Sequence, residues 1–231
     1  AYKQIGLTSC ELMSNHCEAL AGAPQVGRGM DREPLLKWRA DATQNADTVF
    51  APAKKAFNDA GVDVRFLTYN MSRATTPEEM EYAFAMAKAL KVKAITTSTQ
   101  VSVAEKIAPF ADKHKTIVAF HGHDSENPDE FAKPESFAKE MAMSKYHWVN
   151  LDIGHFTAAG YDPVAYIKEH HARITNLHLK DRKKDHGANV PWGEGDTPIK
   201  DVLLLLKKEG WDIPANVEFE YRGDAIAEVT K

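Results

Sequence analysis

The run Y-H-W-V-N-L-D-I-G-H-F at 146–156 and the run R-I-T-N-L-H-L-K-D-R at 173–182 decide the fold. Each contains an apolar segment short enough to be a buried strand, and each segment ends in ionisable side chains. Between them, D-P-V-A-Y-I-K-E-H-H at 162–171 predicts a helix, with Asp162 as N-cap and Pro163 at the first helical position. Because α/β folds place chemistry at the carboxyl ends of their strands, this strand–helix–strand unit predicts a site there.

The same alternation continues along the chain. Further strands are predicted to start near 64, 94, 116 and 215, with helices between them. T-P-E-E at 76–79 predicts a helix that starts with a capping box between Thr76 and Glu79, and a longer helical pattern covers 33–60 before Gly61. Such alternation predicts a parallel sheet. No G-x-G-x-x-G motif or P-loop follows any strand, which favours an α/β fold of the (β/α)8 TIM-barrel type over a doubly wound nucleotide fold.

The strand count is one short of a full barrel. With a strand at 9–13, the sequence predicts seven strands, and the chain opens on what looks like a helix end at Gly6. We therefore expect the first strand and its helix to be missing from the given sequence. Residues 1–231 are expected to form a single TIM-barrel domain.

Composition narrows the class of protein. The chain has 231 residues, 43% of them hydrophobic, and a formal net charge of -4. A chain of this length can bury one core, and its mild acidity argues against nucleic-acid binding. No apolar run reaches the roughly 20 residues of a membrane span. We expect a cytoplasmic location; because the chain begins at Ala1 rather than at methionine, export to the periplasm is the alternative.

Polar residues follow the ends of four predicted strands. Alternate residues of a barrel strand point inward, so each of these strands should present a polar side chain at the barrel mouth. The sequence leaves two choices open, His121 or His123 on one strand and Glu218 or Glu220 on another. The full candidate set is His121, His123, Asp152, His178, Glu218 and Glu220. One Asp, one Glu and two His fit a site for a divalent metal ion, with Mn preferred and Co, Zn or Mg as alternatives.

Four motifs resemble the xylose isomerase-like TIM barrels. They are L-D-I-G-H at 151–155, N-L-H-L-K-D at 176–181, W-G-E-G-D at 192–196 and V-E-F-E-Y at 217–221. The resemblance covers most of the chain, starting from E-L-M-S-N-H at 11–16. It implies a sugar or sugar phosphate isomerase or epimerase, with inosose dehydratases and keto-sugar lyases as relatives.

The resemblance also implies a metal site. In this family Glu, Asp, His and Glu from four consecutive strands hold a divalent metal ion. Asp152, His178 and Glu218 match three of these ligands, whereas His121 of H-G-H stands where the first Glu is usual. The implied ligand set is therefore His121, Asp152, His178 and Glu218, and the departure weakens any mechanism that needs two opposed glutamates.

The implied reaction is proton abstraction next to a carbonyl through a metal-bound enediolate. Glu218 is the candidate base as well as a ligand, and His155, His123 or Lys180 is the candidate acid. Asp181 could instead hold Lys180 in a salt bridge. Elimination from the same enediolate would make the protein a keto-sugar lyase or dehydratase. The candidates for substrate contact are Glu11, His16, His123, Trp192 and Glu194, with surface placement as the alternative for Glu11 and His16.

Two other classes of protein are alternatives to the isomerase or lyase hypothesis. A metal-dependent phosphodiester nuclease on the same barrel would need more ligands and a basic groove, which the net charge of -4 disfavours. A non-catalytic barrel that binds a sugar without metal is the other alternative. The expected partner is a small sugar or keto-sugar, without nucleic acid or membrane, and the formation of a homo-oligomer is left open.

Overall fold

The computed structural model describes residues 2–27 and 29–230. The strands are β1 Ser9–Met13, β2 Asp63–Thr68, β3 Ala94–Thr97, β4 Ile117–His121, β5 His147–Asp152, β6 Ile174–Leu179, β7 Asp181–Arg182, β8 Asn189–Val190 and β9 Ala215–Val217. The α-helices are α1 Ser14–Leu20, α2 Glu33–Gln44, α3 Ala46–Val49, α4 Ala51–Asp59, α5 Pro77–Leu90, α6 Val101–His114, α7 Pro134–Met141, α8 Ile153–Ala158, α9 Pro163–His170, α10 Ile199–Glu209 and α11 Ala225–Val229.

Seven strands form one parallel sheet, in the order β1-β2-β3-β4-β5-β6-β9. The sheet curls until its first and last strands approach each other, since Asn216 on β9 donates a hydrogen bond of 2.7 Å to Glu11 on β1. Strands β7 and β8 form a separate antiparallel pair. The fold is a TIM barrel, so the predicted fold class is confirmed.

The hydrophobic core lies between the strands and the surrounding helices. Ile95 on β3 and Phe120 on β4 are fully buried there, together with Phe84 on α5 and Ile107 on α6. Because side chains alternate along a strand, the opposite face of the same strands is free to carry polar groups into the barrel. No helix among the described residues is long and apolar enough to cross a membrane.

Local sequence signals explain where two of the helices begin. The Thr76 side chain accepts a hydrogen bond from the Glu79 amide, and the Glu79 carboxylate accepts one from the Thr76 amide, which confirms the predicted capping box. Asp162 caps α9 by accepting from the amides of Val164 and Ala165 at 2.8 and 3.1 Å. Both caps satisfy amides that have no partner inside the helix.

The prediction of one continuous helix over 33–60 is wrong. This segment forms α2, α3 and α4, with boundaries at Asn45 and Phe50. Pro52 lies in the first turn of α4. Proline has no amide hydrogen and disfavours a helical residue before it, so it starts a helix more readily than it continues one. The predicted end at Gly61 is confirmed, because Gly61 has a φ of +69°.

A buried polar cluster lies outside the barrel interior. Glu140 on α7 and His147 on β5 are fully buried, with 3.4 Å between Glu140 Oε2 and His147 Nδ1. Neither carboxyl oxygen of Glu140 accepts a hydrogen bond from the described residues. Burial raises the pKa of Glu140 well above its ordinary value of 4.5, and the positive charge of Arg173 opposes this only in part. The folded protein therefore favours the neutral carboxyl.

This cluster predicts a pH-dependent stability that Glu140→Gln removes. Relative to the variant, the wild type has its full stability below the unfolded-state pKa of 4.5 and loses it as pH rises toward the raised folded-state pKa. The loss within that window should be about 1.4 kcal/mol per pH unit. Urea unfolding of both proteins from about pH 4 to pH 8 measures it. The matched control is Glu135→Gln on the same helix, where the side chain is exposed; a constant difference between wild type and Glu140→Gln would contradict the prediction.

Candidate metal centre

Four ligand-type side chains meet at the mouth of the barrel. One nitrogen or oxygen atom from each of His121, Asp152, His178 and Glu218 lies within 4.8 Å of the others. His178 Nδ1 lies 3.1 Å from His121 Nε2 and 3.0 Å from Glu218 Oε2. The structure thus brings together the four residues that the sequence proposes as metal ligands.

The strand register explains this convergence. His121 and Asp152 are the last residues of β4 and β5, and Glu218 directly follows β9. Asp152 is the register partner of His178 on β6. Since the strands are parallel, their carboxyl ends lie on the same side of the sheet, and residues far apart in sequence become neighbours.

The structure distinguishes the members of the two pairs that the sequence leaves open. Glu218 reaches the cluster, whereas Glu220 Oε2 lies 2.9 Å from Lys180 Nζ. His121 belongs to the cluster, whereas the ring of His123 packs edge-on against it at 4.8 Å. Burial, followed by the charge of His121, lowers the pKa of His123 to about 4, so its ring is neutral near neutral pH.

Glu11 occupies the barrel interior behind His178. Its Oε2 lies 2.7 Å from His178 Nε2, the ring nitrogen that faces away from the cluster. Both carboxylate oxygens of Glu11 are occupied by protein groups. The Thr96 hydroxyl also donates to Glu11. Four further side chains donate to the carboxylate over 2.7 to 3.3 Å, namely Thr68, Asn150, Asn176 and Asn216. The structure therefore places this candidate substrate contact in a saturated internal network.

The electrostatics of Glu11 and His178 are linked. Burial by itself would raise the pKa of Glu11, but the charge of His178 and the hydrogen bonds from His178, Thr96 and Thr68 lower it to about 2. Burial would lower the pKa of His178, and its attraction to Glu11 and Glu218 raises it well above the ordinary value. Without a metal ion, the ring thus carries positive charge between two carboxylates.

Lys180 places a buried ammonium beside the cluster. Its Nζ lies 3.1 Å from both Asp152 Oδ2 and Glu218 Oε2, and the side chain is only 2% exposed. Burial lowers the pKa of Lys180, but the charges of Asp152 and Glu218 outweigh this and raise it. The ammonium also lies 3.0 Å from His155 Nε2. The alternative that Asp181 holds Lys180 in a salt bridge is wrong, because the Asp181 carboxylate accepts hydrogen bonds from backbone amides of the following loop.

His155 is oriented by Asp124, a residue outside the candidate set drawn from the sequence. Asp124 Oδ1 lies 2.8 Å from His155 Nδ1 and accepts a 2.5 Å hydrogen bond from Arg182 Nη1. Burial lowers the pKa of His155. A neutral ring that donates from Nδ1 to Asp124 presents the lone pair of Nε2 to the Lys180 ammonium. The sequence does contain a signal for Asp124 and Arg182. Each residue ends a short polar run at the end of a strand, H-G-H-D at 121–124 and K-D-R at 180–182.

The W-G-E-G-D motif is a loop organised by Asp181. The Asp181 carboxylate accepts hydrogen bonds from the amides of Gly193, Gly195 and Thr197 at 2.8 to 3.3 Å. A Cβ at Gly195 would lie 1.9 Å from Asp181 Oδ1, so only glycine fits. The glycines of this motif and Asp181 therefore have a structural role.

A cavity of about 790 Å³ opens over the cluster. It is lined by the candidate residues Glu11, His121, His123, His155, His178, Lys180, Glu218 and Glu220. Three other candidates lie elsewhere. His16 is exposed on α1, and Glu194 is exposed on the loop. Trp192 donates to the carbonyl oxygen of Leu179 at 2.9 Å and packs on Tyr221.

Comparison with known proteins agrees with this architecture. A sequence model of the family described as xylose isomerase-like TIM barrel matches residues 91–231. No curated protein sequence matches the chain significantly.

Several solved structures have a similar fold. The probable 3-DHS dehydratase AsbF, involved in petrobactin synthesis, from Bacillus anthracis has a TM-score of 0.71 at 15% identity, over 99% of this chain and 88% of that chain. A sugar phosphate isomerase/epimerase from Parabacteroides distasonis has a TM-score of 0.62 at 19% identity, over 99% and 86%. The IolI protein with a binding zinc atom has a TM-score of 0.61 at 15% identity, over 94% and 81%. At these identities the likeness shows the fold alone.

Gly154 allows α8 to approach β6 closely. An added Cβ would lie 2.5 Å from the carbonyl oxygen of Lys180, well inside van der Waals contact. The residue lies between Asp152, which caps α8, and His155. Any shift of this turn would therefore move both side chains.

Gly154→Ala should destabilise the protein by about 1–3 kcal/mol, since the backbone must move to accommodate the methyl group. Urea unfolding followed by circular dichroism measures the effect. Gly27→Ala is the matched control, because its Cβ would meet only the flexible end of Met30, at 3.2 Å. Equal stabilities for the two variants would contradict the close packing at Gly154.

Proposed function

The chain belongs to the xylose isomerase-like TIM barrel family, and we propose that it is a divalent-metal-dependent isomerase or epimerase of a sugar or sugar phosphate. The main support is the convergence of His121, Asp152, His178 and Glu218, whose ligand atoms lie within 4.8 Å of one another. They lie at the carboxyl ends of four consecutive strands of the barrel, where this fold places its active sites.

The residues fit a divalent cation. Two imidazoles and two carboxylates suit Mn²⁺, Co²⁺, Zn²⁺ or Mg²⁺. His121 Nε2 and His178 Nδ1 face each other at 3.1 Å. Asp152 Oδ2 is buried and makes no hydrogen bond with the described residues, although the Lys180 ammonium lies 3.1 Å away. When bound, the cation would act as a Lewis acid that acidifies the C–H next to a carbonyl.

Glu218 is the proposed base. Its side chain is 25% exposed, whereas Asp152 is fully buried. Glu218 lines the cavity and can therefore reach a substrate carbon. A carboxylate positioned in this way takes the proton and can return it to the neighbouring carbon, which isomerises the sugar.

Lys180 and His155 are the proposed acid partners. The ammonium of Lys180 can donate a proton to a substrate oxygen that becomes negative, or stabilise it by charge. The contact of 3.0 Å between Lys180 Nζ and His155 Nε2 gives the proton a path between them. Asp124 holds His155 in the tautomer that accepts at Nε2. His123, neutral and on the cavity wall, is placed to bind a substrate hydroxyl.

A keto-sugar lyase or dehydratase is the second candidate. The cluster holds Glu218 but has His121 where a second glutamate would serve as the opposed acid and base. An elimination needs one base and one acid, and Glu218 with Lys180 provides that pair. The two candidates predict different products from the same enediolate.

Metal analysis tests the proposal first. Mass spectrometry of the wild type after incubation with Mn²⁺, Co²⁺ and Zn²⁺ should find about one equivalent of metal, which is lost in the double variant Asp152→Ala with His178→Ala. Circular dichroism of the double variant should confirm that it is folded. A wild type that holds no metal after incubation would overturn the mechanism and favour a sugar-binding barrel.

Exchange with D₂O tests the role of Glu218. Keto-sugars incubated with the metal-loaded wild type should gain deuterium next to the carbonyl. Glu218→Gln should slow this exchange by about 10²–10⁴. NMR of the products separates the candidates, because isomerisation keeps the composition of the sugar and elimination releases water or a leaving group. Unchanged exchange in Glu218→Gln would exclude it as the base.

A further inference from the structure

The His178 ring presents its two nitrogens to different environments. Nδ1 faces the ligand cluster, 3.0 Å from Glu218 Oε2, while Nε2 lies 2.7 Å from Glu11 Oε2. A metal ion in the cluster would therefore bind Nδ1. The proton of the neutral ring would then lie on Nε2, where Glu11 accepts it.

Glu11 itself is held rigidly. Its side chain is 9% exposed, and its oxygens accept hydrogen bonds from residues on five other strands. These residues are Thr68, Thr96, Asn150, Asn176, Asn216 and His178. The three asparagines all donate to Glu11 through Nδ2. Their donors suit a carboxylate at this position and disfavour an amide of the same shape.

We propose that Glu11 is a positioning residue that fixes the tautomer and orientation of His178 and thereby sets the affinity of the site for its metal ion. This inference rests on the proposed function. A carboxylate that accepts the outer N–H of a metal-binding imidazole fixes the ring and makes the ligand nitrogen a stronger donor. Glu11 meets this description, and its saturated oxygens argue against a direct contact with substrate.

The proposal predicts weaker metal binding in Glu11→Gln. Titration of metal-free protein with Co²⁺, in competition with a chelator, should give an affinity about 10- to 100-fold below that of the wild type. The visible absorption of bound Co²⁺ should also change, because the donor strength and orientation of His178 change. Affinity and spectrum equal to those of the wild type would overturn the proposal.

Thr68→Val is the matched control. Thr68 donates to Oε1 of Glu11, the oxygen that does not contact His178. The variant removes the hydrogen bond from Thr68 to Glu11 and the 2.9 Å contact between the Thr68 and Thr96 hydroxyls, but it keeps the carboxylate and its contact with the ring. It should retain the Co²⁺ affinity and spectrum of the wild type; a loss equal to that of Glu11→Gln would show a general effect of the network and overturn the specific role.

A measurement on the wild type covers the case in which Glu11→Gln does not fold. In Zn²⁺-loaded protein, ¹⁵N NMR of the histidine rings should show the proton of His178 on Nε2 and the metal on Nδ1, with the resonance assigned by its absence in His178→Gln. A proton on Nδ1 would overturn the proposal. Failure of the proposed function gives a different result, since the wild type would then bind neither Co²⁺ nor Zn²⁺.

Discussion

The contact between Glu11 and His178 at the centre of the barrel links the two layers of the site. Below it, donors from five strands hold the Glu11 carboxylate. Above it, the other nitrogen of His178 faces the ligand cluster. A buried carboxylate is costly without hydrogen-bond partners, so the network favours the arrangement in which these strands are in register. The geometry of the candidate metal centre therefore depends on closure of the barrel.

Charge balance is the second constraint. Lys180 is buried among Asp152, Glu218 and Glu220, each within 3.1 Å of its ammonium. Removing one partner of such a group leaves an uncompensated charge in the interior. The Lys180 ammonium therefore balances the negative charges of Asp152 and Glu218. The ammonium also contacts Nε2 of His155, whose other ring nitrogen contacts Asp124.

Sequence reasoning succeeded where the signal was local or periodic. Thr76 and Asp162 were recognised as caps because a cap depends on residues within one turn. It failed at Pro52, where a helical pattern was extended through a residue that starts a new helix. No local pattern in the sequence reveals that a glutamate on the first strand meets an imidazole 167 residues later, as Glu11 meets His178.

Short-range periodicity is enough to predict the alternation of strands and helices and the parity that points His121, Asp152 and His178 inward. The assembled strands place Glu218 and His121 in the cluster, Glu220 and His123 beside it, and Glu11 in the barrel interior. The same assembly brings Asp124 to His155, which it orients. Asp181 organises the W-G-E-G-D loop and does not pair with Lys180. Such choices depend on distances between strands, and these are fixed only when the sheet curls and its register is set.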